Sequence, residues 1–470
     1  MPAPGSAPTA ATTLPSITST LRVNPDNKRF FVDDRGRAVV LAGMHTWTNL
    51  QDADNFSAQD PPPAFDWDTY LATVVGYGQN FVRLWNMEYA DTHDGTNKPH
   101  FSPVVYQRTG PGTDLWGKPK FDLTRLNSTY FERLERRVAD AQARGVYVGF
   151  MFFEGVWSSR ESHWDGHPFN RDNNVNAIDV PTIDGTDDGW GYGSNVHSLD
   201  DPAIVAIQQA YIRKVVDTIG GYDNVLYEFS NEDWGSAANI AWQHAMIDYI
   251  HRYEAGRPKQ HPVGMTPLWN NTNKVFWAGD ADWVSPCDCR DRPVDENGGQ
   301  SYMYDPIDAT GEKVVIVDTD HIYGIGGDGV WVWKNFLRGG NPIYMYGPSG
   351  SSGPEGAVVS DESTGGALSA MGDVVTCGSL MDLARAVPRR DLASTRYVLA
   401  DPGREYLVYQ PESGPFTVRL TAGDFTVRWL DPATRAWHDA ASATAAGDEP
   451  VEFTPPFDGS AVLLLHREGT

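Results

Sequence analysis

Two short segments of this chain concentrate groups able to move protons. The first runs Val225-Leu226-Tyr227-Glu228-Phe229-Ser230 into Asn231-Glu232-Asp233-Trp234, so an apolar run ends in an amide, a carboxylic acid and an indole. The second runs Val314-Val315-Ile316-Val317 into Asp318-Thr319-Asp320-His321, with Tyr323 close behind. Carboxyl groups at two strand ends suit a reaction in which one acid protonates a leaving oxygen while the other attacks carbon or activates water, as glycosidic cleavage requires. Glu232 is the candidate proton donor. Asp320 stands one alternation beyond Asp318 and is favoured as the reacting carboxylate, with Asp318 the second candidate. Glu228 shares the face of Glu232 but lies deeper, where it can fix a neighbouring arginine. A loop-surface Glu or a helix-capping Asp is the bland alternative for any one of these acids, and it weakens when the two clusters are taken together.

Other apolar runs end in His45, Trp47, Trp85, Glu154, Trp157, His167, Trp269 and Tyr323. Indoles flanked by polar groups suit sugar rings, whose apolar faces stack on aromatics while their hydroxyls take hydrogen bonds. With Arg83, Asn231, Trp234 and His321 they form the candidate substrate-binding set. A single Trp is more often core, but these positions follow strand ends rather than helical spacing. The long stretch from Glu154 to Val196 is expected to shape a pocket, which favours exo-action or short oligosaccharides. His45, His163, His167, His197 and Asp320-His321 lack the spacing of a metallohydrolase: no His-x-His lies on the first strand and no H-E-x-x-H occurs, so neither a catalytic metal nor a cofactor is expected. The acidic loop Asp288 to Asn297 lacks EF-hand spacing. Walker A and G-x-S-x-G runs are absent as well.

Something must carry these groups to one place. Between residues 28 and 348, runs at Val39–Gly43, Asn80–Trp85, Val146–Phe153, Val225–Ser230, Pro262–Met265, Trp283–Ser285, Val314–Val317 and Pro342–Tyr346 read as nearly continuous apolar strands. Helical stretches alternate with them. Asp201-Pro202 opens one, with Ile204, Ile207, Tyr211 and Val215 on a face and Gly220-Gly221 at its close; Tyr130–Arg144, Ser236–Tyr253 and Gly366–Ala386 are others. Eight such units spell a (β/α)₈ TIM barrel, in which side chains at the carboxyl ends of strands converge on one mouth. A doubly wound sheet would want a G-x-G-x-x-G after its first strand, and none is present. From Arg396 onward, Tyr397–Leu399, Glu405–Tyr409, Phe416–Leu420, Phe425–Leu430 and Ala461–His466 follow one another without helices, so residues 391–470 read as a small antiparallel β-sandwich after a barrel over 21–390.

The 470 residues, 40% hydrophobic and 21% charged, are those of a folded chain with room for a large domain and a small one. A formal net charge of -25 argues against nucleic acid or anionic lipid as partner. No apolar run approaches the ~20 residues of a membrane-spanning helix, so a soluble protein is expected. Cys287, Cys289 and Cys377 are too few for a disulfide framework and fit no zinc pattern. The first twenty residues, rich in Pro, Ala, Ser and Thr, read as a flexible lead-in without a signal peptide's apolar core; the protein is expected to be cytoplasmic, or secreted after loss of its signal.

The Tyr227 to Asp233 stretch resembles the Tyr-Glu-x-x-Asn-Glu strand-four signature of clan A glycoside hydrolases, the cellulase-like, family 5-like barrels with catalytic carboxylates on strands four and seven. Arg83 in Phe81-Val82-Arg83-Leu84-Trp85 is similar to that clan's strand-two arginine, and Gly43-Met44-His45-Thr46-Trp47 resembles its strand-one loop. The resemblance covers residues 28 to 348. The tail and the His167-Pro168-Phe169-Asn170 loop are most similar to the apiosidase-like branch with a collagen-binding-type sandwich, which extends the expected substrates to furanosides. What the resemblance implies is cleavage of a plant or bacterial saccharide by retention, with Glu232 as acid and then base and the strand-seven acid as nucleophile. The family presents Glu there and this chain Asp; the shorter arm leaves inversion open, and a non-catalytic carbohydrate-binding barrel is the other alternative.

Overall fold

The computed structural model describes residues 14–53, 60–93, 99–155, 157–181, 193–268, 273–287, 301–322, 327–346 and 361–469. Eight strands form one parallel sheet: β1 (Gly43–His45), β2 (Phe81–Trp85), β3 (Tyr147–Met151), β4 (Val225–Phe229), β5 (Val263–Met265), β6 (Trp283–Val284), β7 (Val314–Asp318) and β8 (Asn341–Met345). Their order, β1-β8-β7-β6-β5-β4-β3-β2, curls the sheet until its first strand meets its second. Amide groups stitch that seam: Asn80 N–H donates to Ala42 O at 3.1 Å, while Asn80 Oδ1 and Gln79 Oε1 accept from Ala42 N and Met44 N, each at 3.0 Å. Gly43 permits the closure, because a Cβ there would stand 1.9 Å from Phe81 O.

Helices α1 (Trp67–Tyr77), α2 (Ser128–Ala143), α3 (Pro202–Ile219), α4 (Ala237–Glu254), α5 (Gly329–Leu337) and α6 (Ala367–Ser379) are distributed along the barrel. Their ends follow local chemistry. Asp201 caps α3 by accepting from Ala203 N, with Pro202 in the first turn, and Ser236 and Asn239 form a capping box on α4. Ile204, Tyr211 and Val215 of α3 and Trp242, Met246 and Ile250 of α4 are buried against the sheet, as the sequence pattern requires. The first strand departs from expectation. Val39 belongs to a separate three-stranded antiparallel sheet (Arg22–Val23, Phe31–Val32, Ala38–Val39), and β1 begins at Gly43; one apolar run serves two sheets, and only the available partners decide where it divides.

A hairpin of Tyr106–Thr113 and Pro119–Leu126 is inserted before α2. After α6, a six-stranded antiparallel sheet begins at Val387–Pro388 and faces the pair Phe416–Leu420 and Glu449–Phe453. Its inner side buries Tyr406, Phe425, Trp429 and Leu463. Its other side joins the barrel core through Leu407, Tyr409 and Leu464, with Tyr409 stacked on Trp333 of α5 at 5.9 Å. The strand Ala436–Ala445 escapes sequence reading because its Ala, Ser, Thr and Asp residues are mostly exposed at a sheet edge.

The expected flexible lead-in over residues 1–20 is corrected from residue 14 onward. Residues 1–13 lie outside the described residues, but Leu14 is buried against Gly145 and Thr20 Oγ1 donates to Asp223, so the segment from residue 14 is packed. Apolar side chains at Leu14 and Ile17, diluted among Pro, Ser and Thr, are what anchor it. Cys287 is disulfide-bonded and Cys377 is a buried free thiol. Among the described residues no helix is long and apolar enough to cross a membrane.

Candidate active site

Arg83 on β2 is buried beneath the carboxyl-end mouth and organises it. Its Nε donates to Glu228 Oε2 at 2.9 Å and one terminal nitrogen bonds Glu228 Oε1, a bidentate pair. That same nitrogen donates to Asn231 Oδ1 at 2.9 Å. The other reaches Asp318 Oδ2 at 3.2 Å and Asp320 Oδ2 at 3.3 Å. Strands β2, β4 and β7 are thus joined by one guanidinium, and Glu228 holds an arginine as its depth on β4 suggests.

The two aspartates differ in what remains free. Asp318 accepts from Arg83 on one oxygen, and its other oxygen is bound by His45 Nε2 at 2.8 Å and Asp320 N at 3.0 Å. Burial opposes its ionisation, but His45 and Arg83 outweigh burial and hold it well below the ordinary carboxylate range. Asp320 uses only Oδ2, toward Arg83 and, at 3.6 Å, His321; no group among the described residues bonds its Oδ1. Burial first, and Asp318 second, push Asp320 up to about 6. His321 faces Asn231 Oδ1 through Nε2 at 3.0 Å and Ser285 Oγ through Nδ1 at 2.7 Å, one donor and one acceptor contact that suit the neutral ring. Burial keeps that imidazole well below its usual range.

Glu232 occupies the turn after β4 with φ 43, a left-handed conformation rare outside glycine. Its side chain has no hydrogen-bond partner among the described residues. Burial raises its pKa well above the ordinary value, and Asp320 and then Glu154 add to the rise. Glu154 is the third acid. It accepts from Trp85 Nε1 and Asn231 Nδ2, each at 3.1 Å, and from Trp157 N at 3.2 Å. Burial lifts it to about 8.

The candidate binding residues fall into two layers. Trp47, Trp157 and Trp234 are partly exposed, whereas His45, Arg83, Trp85, Glu154, His167, Asn231 and His321 are buried. Burial sets these seven behind the surface that a substrate would touch: Trp85 stacks with the His45 ring at 5.9 Å and carries the Arg83 guanidinium over its ring at 4.3 Å, and His167 faces Glu88 at 3.7 Å. Trp269 and Tyr323 lie outside the described residues, as does the acidic loop from Asp288. Ser285 and Asp233 were not singled out by sequence; both sit at strand ends with hydroxyl or carboxyl groups, the only signal available. Asp318, Asp320 and His321 bring donor atoms within 4.8 Å of one another, a spacing a cation could bridge, but Arg83 already supplies positive charge to both carboxylates.

This architecture has relatives among solved structures. A glycoside hydrolase family 5 protein from Bacteroides vulgatus aligns over 96% of this chain and 94% of its own, with a TM-score of 0.58 at 12% identity. The fold is that of family 5 glycoside hydrolases. A second glycoside hydrolase structure aligns over 96% of this chain and 98% of its own, with a TM-score of 0.58 at 12% identity. An endo-1,4-beta-mannanase from Rhizomucor miehei covers 76% of this chain and 100% of its own, with a TM-score of 0.50 at 12% identity. The family model described as "Domain of unknown function (DUF6298)" matches residues 82–273, which span β2 to β5 of this family 5 fold. No curated protein matches the sequence.

Proposed function

We propose that this chain is a glycoside hydrolase acting by retention on a plant or bacterial saccharide, with Glu232 as general acid and base and Asp320 as nucleophile. The observation that carries the reading is the pairing of Glu232, held in a left-handed turn with no hydrogen-bond partner for its carboxyl among the described residues, with Asp320, whose Oδ1 none of those residues bonds. In the first step Asp320 Oδ1 attacks the anomeric carbon, the bond to the leaving oxygen breaks, and Glu232 gives that oxygen its proton. In the second, Glu232 takes a proton from water, the hydroxyl bonds to the anomeric carbon, and the Asp320 carboxylate departs. Burial, with Asp320 second, raises Glu232 well above the ordinary carboxylate value, as a group that must keep its proton near neutrality needs. The partly exposed indole of Trp47 is suited to a sugar ring, and a pocket for short oligosaccharides or chain ends is the expected shape.

A panel of 4-nitrophenyl pyranosides and furanosides of both anomers tests the proposal. Release of 4-nitrophenol that falls at least ~100-fold in Glu232→Gln supports it; affinity for a sugar without release would make the barrel a binding module. Proton NMR of the first-formed anomer decides stereochemistry. An inverted product would make Asp320 the base for water, which its shorter arm than Glu would accommodate.

A further inference from the structure

Behind the Asn231–Glu232–Asp233 turn runs a buried chain of charges that the proposed steps leave unused. His197 lies on the segment before α3, its Nδ1 2.9 Å from Asp233 Oδ2 and its Nε2 3.1 Å from Glu88 Oε2. The three side chains are 1%, 1% and 8% exposed. Carboxylates stand beside both nitrogens, Glu88 as an ion-pair neighbour of Nε2 without hydrogen-bond geometry, and a buried ring between two anions favours the imidazolium. Burial opposes that charge, but Asp233 and Glu88 outweigh it and hold His197 at about 10. Trp242 of α4 stacks on the ring at 4.4 Å and fixes its plane. His167 approaches Glu88 from the other side, while its Nδ1 accepts from Phe169 N at 3.1 Å.

Each end of this chain grips the catalytic mouth. Glu88 Oε2 also accepts from the backbone N–H of Glu154 at 2.7 Å. Asp233 accepts from Trp234 N at 2.9 Å and from Ser230 Oγ at 3.2 Å, closing the turn that carries Glu232. From the β3 side, Gly155 N–H donates to Asn231 O at 2.8 Å, and a Cβ at Gly155 would come within 2.4 Å of Asp233 Cα. A left-handed non-glycine residue persists only where its surroundings over-determine it, and these contacts supply the constraint.

We propose that His197 is a positioning residue for the reaction: tied between Glu88 and Asp233, its imidazolium holds the turn so that the Glu232 carboxyl meets the leaving oxygen. The inference rests on the proposed function and deepens it. The test compares phenyl and 2,4-dinitrophenyl glycosides of the sugar whose 4-nitrophenyl glycoside the full chain cleaves. Phenoxide needs a proton to depart and dinitrophenoxide does not. His197→Gln is expected to lower kcat/KM, which reports departure of the aglycone and not the later water step, by about 100-fold or more on the phenyl glycoside and by no more than about 3-fold on the dinitrophenyl glycoside; losses and selectivity are both measured in kcat/KM. Equal losses on both substrates overturn the inference. Should His197→Gln fail to fold by circular dichroism, Glu88→Gln, which leaves the His197–Asp233 contact, is expected to show the same selectivity at smaller size, and equal losses there overturn it too. Glu232→Gln separates the two levels: selectivity in that variant without selectivity in His197→Gln rejects the positioning role alone. Lack of selectivity in Glu232→Gln, or no turnover of any aryl glycoside, rejects the proton donor and the positioning role together.

Discussion

Replacing Arg83 by Met removes the one guanidinium that meets Glu228, Asp318, Asp320 and Asn231 while keeping a long apolar side chain in the cavity. Three buried carboxylates then lose their shared cation. Breaking a buried pair by removing one partner costs ~3–5 kcal/mol. With an unfolding entropy of about 1 kcal/mol/K for a chain of 470 residues, the melting temperature at pH 8 is expected to fall by about 3–5 °C. The deficit depends on pH with a definite sign. Loss of the cation raises the folded-state pKa of each acid and leaves the unfolded chain unchanged, so the folded variant binds protons that the folded wild type releases. The full deficit therefore stands at high pH, where the acids are ionised in the wild type. It shrinks as pH falls from the variant's raised value toward about 6, the wild-type folded value of Asp320, below which that acid adds no further change, and Glu228, which burial raises despite Arg83, contributes in the same direction. Asp318, well below the ordinary range, retains its share until stronger acid. Thermal unfolding followed by circular dichroism between pH 5 and pH 8 measures the difference. Equal stability of the two proteins at pH 8, or a deficit that does not change over this range, would refute the argument.

The pH–rate profile is expected to be a bell: activity rises through about pH 6 as Asp320 ionises and falls on the alkaline side as Glu232 loses its proton, whose pKa burial and Asp320 set well above the ordinary value. Replacing Asp320 by Asn should remove the acid limb together with most of the activity, measured as kcat/KM across pH. Gly43→Ala is expected to destabilise the fold by more than the ~1–3 kcal/mol of ordinary overpacking, since its Cβ would meet backbone Phe81 O at 1.9 Å; denaturant unfolding reads the loss. Trp333→Ala removes the indole stacked on Tyr409 between barrel and sandwich, and a loss of ~3–5 kcal/mol with earlier proteolytic release of the tail is expected.

Much of the barrel was legible because its strands are buried on both sides and therefore read as unbroken apolar runs; Val225–Phe229 and Val314–Asp318 lie within a residue of their expected bounds. The helices declared themselves through Asp201-Pro202 and Ser236, caps that act within four residues. The inserted hairpin at Tyr106–Thr113 and the edge strand Ala436–Ala445 were not legible, because exposed strands held by cross-strand hydrogen bonds need no apolar alternation. At the mouth, residue type marked Glu232, Asp318 and Asp320 as acids, yet nothing in their spacing divides the two aspartates. That division comes from His45 and Arg83, which engage both oxygens of Asp318, while no described residue bonds Asp320 Oδ1. Likewise Trp85, Glu154 and His167, which in sequence look like residues that touch a sugar, are packed behind the surface by partners from other strands. By itself the sequence determined which chemistry each strand end could offer, because side-chain type and the two-residue alternation of a strand are local. Only the tertiary structure decided which acid is free, which is neutralised and which imidazole is charged, because those properties come from burial and from groups far away in the chain.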